Sequence, residues 1–263
     1  MRIRARPAAT LLATALAWSA HAGTTGPLHS HNDYERSRPL ELALENGFES
    51  VEADIWHHDD ELQVGHLPWL FHGTLRELYL IPLMFRVFEN GGSVHGDGRT
   101  FLLWIEFKDS NPKSVELLRR ELSEFPIFTE FSDSGIRERA VTVILTGDEA
   151  NKQRFVSMPG VRLATRDSER ISSSDPAATP TFGNDWLWYA LDWSRYFRWR
   201  GQGALPSAER DRLRNLLAEA HLRGRKIRFF DVPDGKPFWS VAREEGLDLV
   251  GTDRVKELAR FWK

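Results

Sequence analysis

Residues 50–56 read SVEADIW and residues 101–108 read FLLWIEFK. Both runs have the Val, Ile, Leu, Phe and Trp content of a buried strand, yet each carries charge where charge costs most. Side chains alternate along a strand, so Glu52 and Asp54 share one face, as do Glu106 and Lys108. Exposed strands often carry such pairs, whereas strands this apolar keep charges only beside partners or a metal. If the faces point inward, three carboxylates converge and repel one another, and a bound divalent cation removes the conflict.

Working outward, eight strand candidates appear, at 26–31, 50–56, 100–108, 140–146, 161–166, 186–193, 226–232 and 247–252. Most are followed by a helical pattern. The clearest first helix has Pro39 in its opening turn, Leu40, Ala43 and Leu44 at helical spacing, and Gly47 just beyond its end. Further helices are expected at 74–88, 112–124, 207–223 and 254–262. Eight strands alternating with helices over ~240 residues is the pattern of a single-domain (β/α)₈ TIM barrel. A doubly wound open sheet would need a phosphate-binding glycine loop near the first strand, and none stands there. Residues 61–66 (ELQVGH) follow the second strand too closely for a helical crossover. They read as a hairpin-like excursion over the barrel mouth that carries His66 back toward the site.

The first strand ends in His31-Asn32. In a TIM barrel the chemistry lies at the C-terminal ends of the strands, where His31, Asn32, Glu52, Asp54, Glu106 and Lys108 all fall. Glu52, Asp54 and Glu106 are the expected metal ligands, with Asn32 as a neutral fourth. Hard oxygen donors without cysteine select Ca²⁺ or Mg²⁺. His31 and His66 are expected to move protons, and Lys108 to stabilise phosphoryl charge. His29-x-His31 also suits a zinc hydrolase with Asp253 as a late ligand, but the only histidine after His95 is His221, inside a predicted helix, so the ligands run out. His29 reads as a supporting histidine, and His57 and His58 as solvated turn residues.

Composition bounds the rest. The opening MRIRARP, the apolar AATLLATALAWSA and Ala20-His21-Ala22 read as a signal peptide over residues 1–22, leaving residues 23–263 as an exported domain. The apolar run is too short to span a bilayer. The leader takes three arginines with it, so the −3 balance of 35 basic and 38 acidic residues moves to about −6. That argues against nucleic acid or an anionic membrane as partner. With no cysteine the fold rests on its core. Residues 193–200 (WSRYFRWR) read as packing at the barrel lip, or as a surface for a sugar or acyl group beside phosphate.

These motifs resemble the phospholipase C-like phosphodiesterases, which include phosphatidylinositol-specific phospholipase C and the glycerophosphodiester phosphodiesterases. SHNDY (30–34) is similar to their His-Asn-Thr-Tyr motif, SVEADIW to the metal-binding Glu-x-Asp strand, LQVGH (62–66) to the second catalytic histidine, WIEFK (104–108) to the Glu-x-Lys strand, and GLDLVGTDR (246–254) to the last strand. HSHNDYE, RPLELAL and GFESVEADI resemble most closely the altered-inheritance-of-mitochondria family and its bacterial relatives. Asn32 stands where glycerophosphodiesterases have Arg, and Leu67 where they have Asp. The resemblance implies a metal-dependent phosphoric diester hydrolase. It would act on a small-molecule or lipid-derived phosphodiester, glycerophosphodiester- or phosphoinositide-like, through two histidines and a cyclic phosphate. The alternative class is a metal-dependent binding protein for a phosphorylated ligand, which would have no use for two proton carriers.

Overall fold

The computed structural model describes residues 26–178 and 185–263. Residues 1–25, on which the signal-peptide expectation rests, lie outside the described residues.

Among the described residues eight parallel strands form one ring: β1 Gly26–Ser30, β2 Phe48–His58, β3 Phe101–Phe107, β4 Val141–Gly147, β5 Ala164–Ser168, β6 Trp186–Asp192, β7 Lys226–Phe230 and β8 Val250–Thr252. Each pairs in parallel with the next from β1 through β7, and β8 pairs with β1. The last gap is bridged where Arg228 of β7 meets Leu249, just ahead of β8, also in parallel. This is the expected (β/α)₈ barrel. Trp104, Ile144, Trp188, Ala190 and Leu249 form a separate buried cluster inside it, and a larger apolar layer lies between the sheet and the helices.

The helices are α1 Glu41–Glu45, α2 Ile81–Glu89, α3 Pro112–Ser123, α4 Glu149–Ser157, α5 Trp193–Tyr196, α6 Ser207–Leu222, α7 Lys236–Glu245 and α8 Val255–Trp262. Those expected in the 74–88, 112–124, 207–223 and 254–262 regions correspond to α2, α3, α6 and α8; the first of these regions opens with a wider π-type turn at Arg76–Leu80. Pro39 does not open α1. Leu40 adopts a positive φ of 60°, its N–H bonded to buried Asp33, and the helix begins after it. Gly47, φ 75°, stands just past the helix end, the left-handed position that favours glycine.

Three strand limits shift for identifiable reasons. β5 starts late because Phe131 and Arg162 exchange backbone hydrogen bonds, tying this stretch to the small hairpin of Glu130–Ser132 and Gly135–Arg137. β6 stops at Asp192, whose carboxylate caps α5 by accepting from Ser194 N at 2.8 Å. The last strand starts at Val250 because Asp248 turns its carboxylate to the Ile227 N–H. The 61–66 excursion forms as expected: Glu61–Val64 runs antiparallel to β2, with Val64 opposite Ile55.

Candidate active site

β2 and β3 pair so that Asp54 lies beside Glu106 and Glu52 beside Trp104. Glu52, Asp54 and Glu106 each offer an oxygen within 4.8 Å of the others. Gly147 at the end of β4 makes room, since a Cβ there would strike the Phe107 carbonyl oxygen and Glu106 Cγ. Lys108 follows β3, with Nζ 3.0 Å from Glu106 Oε1 and 3.3 Å from Asp54 Oδ2.

The charges in this cluster are held unequally. Burial opposes ionisation of Glu52, but the Arg228 guanidinium and the His29 hydrogen bond hold its carboxyl well below the usual range. Burial and the Glu52 charge push Asp54 up to about 6. Burial and the Asp54 and Glu52 charges push Glu106 up to about 7. Lys108 goes up as well, because the facing carboxylates outweigh its burial. Asp54 Oδ2 is crowded, with the Tyr34 hydroxyl donating at 2.8 Å and His66 Nδ1 at 3.2 Å. Its Oδ1 is buried and, among the described residues, has no partner. An unsatisfied carboxylate oxygen among three convergent acids suits a hard divalent cation. The donor set therefore fits the expected metal.

The two histidines reach this cluster by different routes. His31 follows β1, and its Nδ1 lies 3.0 Å from Asp253 Oδ1, just after β8; Arg36 bridges the Asp253 carboxylate and the His31 carbonyl. Burial would depress His31, but the Asp253 hydrogen bond and the Glu52 charge override it and raise the imidazole. His66 is delivered by the excursion. Gly65 before it packs so closely on Leu70 that a Cβ would strike the Leu70 carbonyl oxygen. Asn32 sits between the sheet and a short turn with φ 45°, its side chain leaving that turn uncapped.

His29 has the supporting part expected of it. It is buried, with Nδ1 2.8 Å from Ser50 Oγ and Nε2 2.8 Å from Glu52 Oε2, and burial takes it down to about 4. His57 is not merely solvated, since Asn111 Nδ2 lies 3.1 Å from its Nδ1. Trp193, Phe197 and Trp199 of the 193–200 segment are buried, with the Trp193 ring stacked on Phe197, so these aromatics pack the lip. Two site residues escaped the sequence reading. From sequence Asp253 reads only as a late zinc ligand. The signal of Arg228 inside KIRFF is a charge between the apolar Ile227 and Phe229, two residues after the exposed Lys226 that opens the strand. A cavity of about 220 Å³ opens beside His31, walled by Arg228, Phe230, Asp234 and Asp253 among others.

A family model described as the AIM6-like phosphodiesterase domain matches residues 22–159, just over half the chain and the whole stretch from His31 to Lys108. The chain belongs to this family. Altered inheritance of mitochondria protein 6 of Lachancea thermotolerans is 35% identical over 144 residues, 46% of this chain and 34% of that protein. Its namesake from Saccharomyces cerevisiae (strain ATCC 204508 / S288c) is 27% identical over 278 residues, 87% of this chain and 69% of that protein. The chain thus spans about a third of the first relative and about two thirds of the second. The crystal structure of a glycerophosphodiester phosphodiesterase from Agrobacterium tumefaciens str. C58 aligns with TM-score 0.49 and 15% identity, covering 89% of this chain and 98% of that one.

One expectation is corrected here. The sequence reading has the protein exported, but the relatives are named for the inheritance of mitochondria, which ties them to the cell rather than its exterior. Export is therefore withdrawn. Among the described residues no helix is long and apolar enough to cross a membrane.

Proposed function

We propose that this domain is a divalent-cation-dependent phosphoric diester hydrolase. Glu52, Asp54 and Glu106 would hold one Ca²⁺ or Mg²⁺, with Asn32 as a neutral fourth ligand. The observation that carries the reading is the set of three convergent carboxylates, one with a buried and partnerless oxygen, flanked by two histidines. When bound, the cation would neutralise phosphate charge and acidify a coordinated hydroxyl.

The remaining work falls to side chains. Asp253 holds Nδ1 of His31 and so leaves Nε2 to serve the substrate, the cavity lying alongside. The raised His31 suits it to deliver a proton to the departing oxygen. His66, its Nδ1 toward Asp54 and half of its side chain exposed at the mouth, then takes the proton of the attacking hydroxyl. Lys108, beside Asp54 and Glu106, would balance charge on the phosphoryl oxygens. None of these groups is an obvious covalent nucleophile. An alcohol next to the phosphoester therefore attacks phosphorus, an intramolecular route that saves up to several kcal/mol of entropy over capture of a water. The substrate class is a glycerophosphodiester- or phosphoinositide-like compound carrying that hydroxyl.

Phosphorus NMR of the products tests this. A cyclic phosphate from hydroxyl-bearing diesters, and far slower cleavage of deoxy analogues, is expected; equal rates for the two would show that water attacks directly.

A further inference from the structure

Arg228 has no part in the chemistry just described, yet Glu52, His29 and Trp104 all hold it in place. It lies on β7 with its side chain 6% exposed. Nη1 donates to Glu52 Oε2 at 2.6 Å and stands 2.6 Å from His29 Nε2. The guanidinium carbon sits 4.0 Å from the centre of the Trp104 ring, a stacking contact that fixes its plane. These contacts use one nitrogen and one face. Nε is buried without a partner, and among the described residues nothing accepts from Nη2. A guanidinium bonded through Nη1 keeps its opposite edge, Nε and Nη2, which is the fork that pairs with two oxygens of an anion. Arg228 also walls the cavity that His31 and Asp253 border.

A buried donor without a partner costs about 1–3 kcal/mol, and more on a charged group. Service as counter-ion to Glu52 explains Nη1 and leaves the free edge unexplained. An oxyanion brought into the cavity beside His31 would satisfy it.

We propose that Arg228 is a phosphate-binding residue of this site, locked by Glu52, His29 and Trp104 so that its Nε–Nη2 edge receives the charged oxygens of the phosphodiester. The proposal rests on the phosphodiesterase reading and adds to it a second cationic contact, from the opposite side of the barrel to Lys108. Arg228→Lys keeps the charge and loses the fork; Arg228→Met loses both.

The test is calorimetric titration of inorganic phosphate into wild type and both variants in Mg²⁺ buffer, with folding checked by circular dichroism. Phosphate affinity should fall about tenfold in Arg228→Lys and further in Arg228→Met, a tenfold loss being ~1.4 kcal/mol. A folded variant that binds phosphate as wild type does would overturn the proposal and leave Arg228 a structural counter-ion. Should both variants unfold, the wild type decides with ¹⁵N-labelled arginine. The Nε–H signal with cross-peaks to the Trp104 ring should move as phosphate is added, and a stationary signal would overturn the assignment. Turnover of bis(p-nitrophenyl) phosphate by wild type is measured alongside. Its absence would speak against the hydrolase reading, whereas the phosphate titration alone decides Arg228.

Discussion

Asp253 Oδ1 lies 3.0 Å from His31 Nδ1 although 222 positions separate them along the chain. Closing the barrel places β8 against β1 and so sets the carboxylate just after β8 beside the imidazole just after β1. The pair fixes the ring, directs Nε2 outward and favours the charged form. Asp253→Asn should lower kcat by about 10- to 100-fold with little change in KM, because positioning of a proton carrier acts in the transition state. It should also shift the acidic or basic limb of the pH–rate profile. A profile that superimposes on wild type would contradict the positioning role.

His31→Ala and His66→Ala should each cost at least ~10²-fold in kcat, the usual worth of a positioned acid or base. Both side chains stand at the barrel mouth rather than in the core, so thermal midpoints should stay close to wild type. Assays and melts on the same preparations check both halves. Full damage from His29→Ala with mild effects at His31 would mean that the roles of these two histidines are reversed.

Gly65 lets the excursion pass against the Leu70 carbonyl and thereby sets where His66 sits. Gly65→Ala forces backbone apart at a point with no flexible side chain to give way. Activity should drop by an order of magnitude or more, since small misplacements of a catalytic group are costly. Activity equal to wild type would show that the turn absorbs the methyl without moving His66.

Glu121, on the inner side of α3, is pushed up to about 7 by burial, against the pull of Arg76 and Arg120, and among the described residues its Oε2 has no partner. The native state therefore holds its proton more tightly than the unfolded chain, in which the group titrates near 4.5. Its contribution is intact below that lower value and is lost as pH rises through about 7. Glu121→Gln removes this liability, so the variant should gain stability over wild type progressively from pH 5 to pH 8. Denaturant melts across that range check it, and a difference independent of pH would refute the assignment.

Much of the site was legible because strand alternation is a strong constraint. Glu52, Asp54, Glu106 and Lys108 stand out as charges in apolar strands, and the short 57–60 link before ELQVGH marks an excursion that returns His66. Helices α4 and α7 were harder. α4 starts straight after a glycine turn with little apolar periodicity, and α7 starts with Lys236-Pro237 after an uncapped Gly235. Arg228 and Asp253 were obscure for another reason. Their meaning comes from β7 closing onto the start of β8, and β8 onto β1, across the barrel seam, a contact between chain ends that no local pattern encodes.

The central claim is that Glu52, Asp54 and Glu106 hold a divalent cation on which phosphodiester cleavage depends. Its most direct test is turnover of a chromogenic phosphodiester by wild type and Glu52→Gln, with Ca²⁺ or Mg²⁺ and after exhaustive chelation. The account predicts cleavage by wild type with metal, abolition by EDTA with recovery on adding metal back, and a much higher metal requirement in Glu52→Gln. Full turnover in excess EDTA would contradict it.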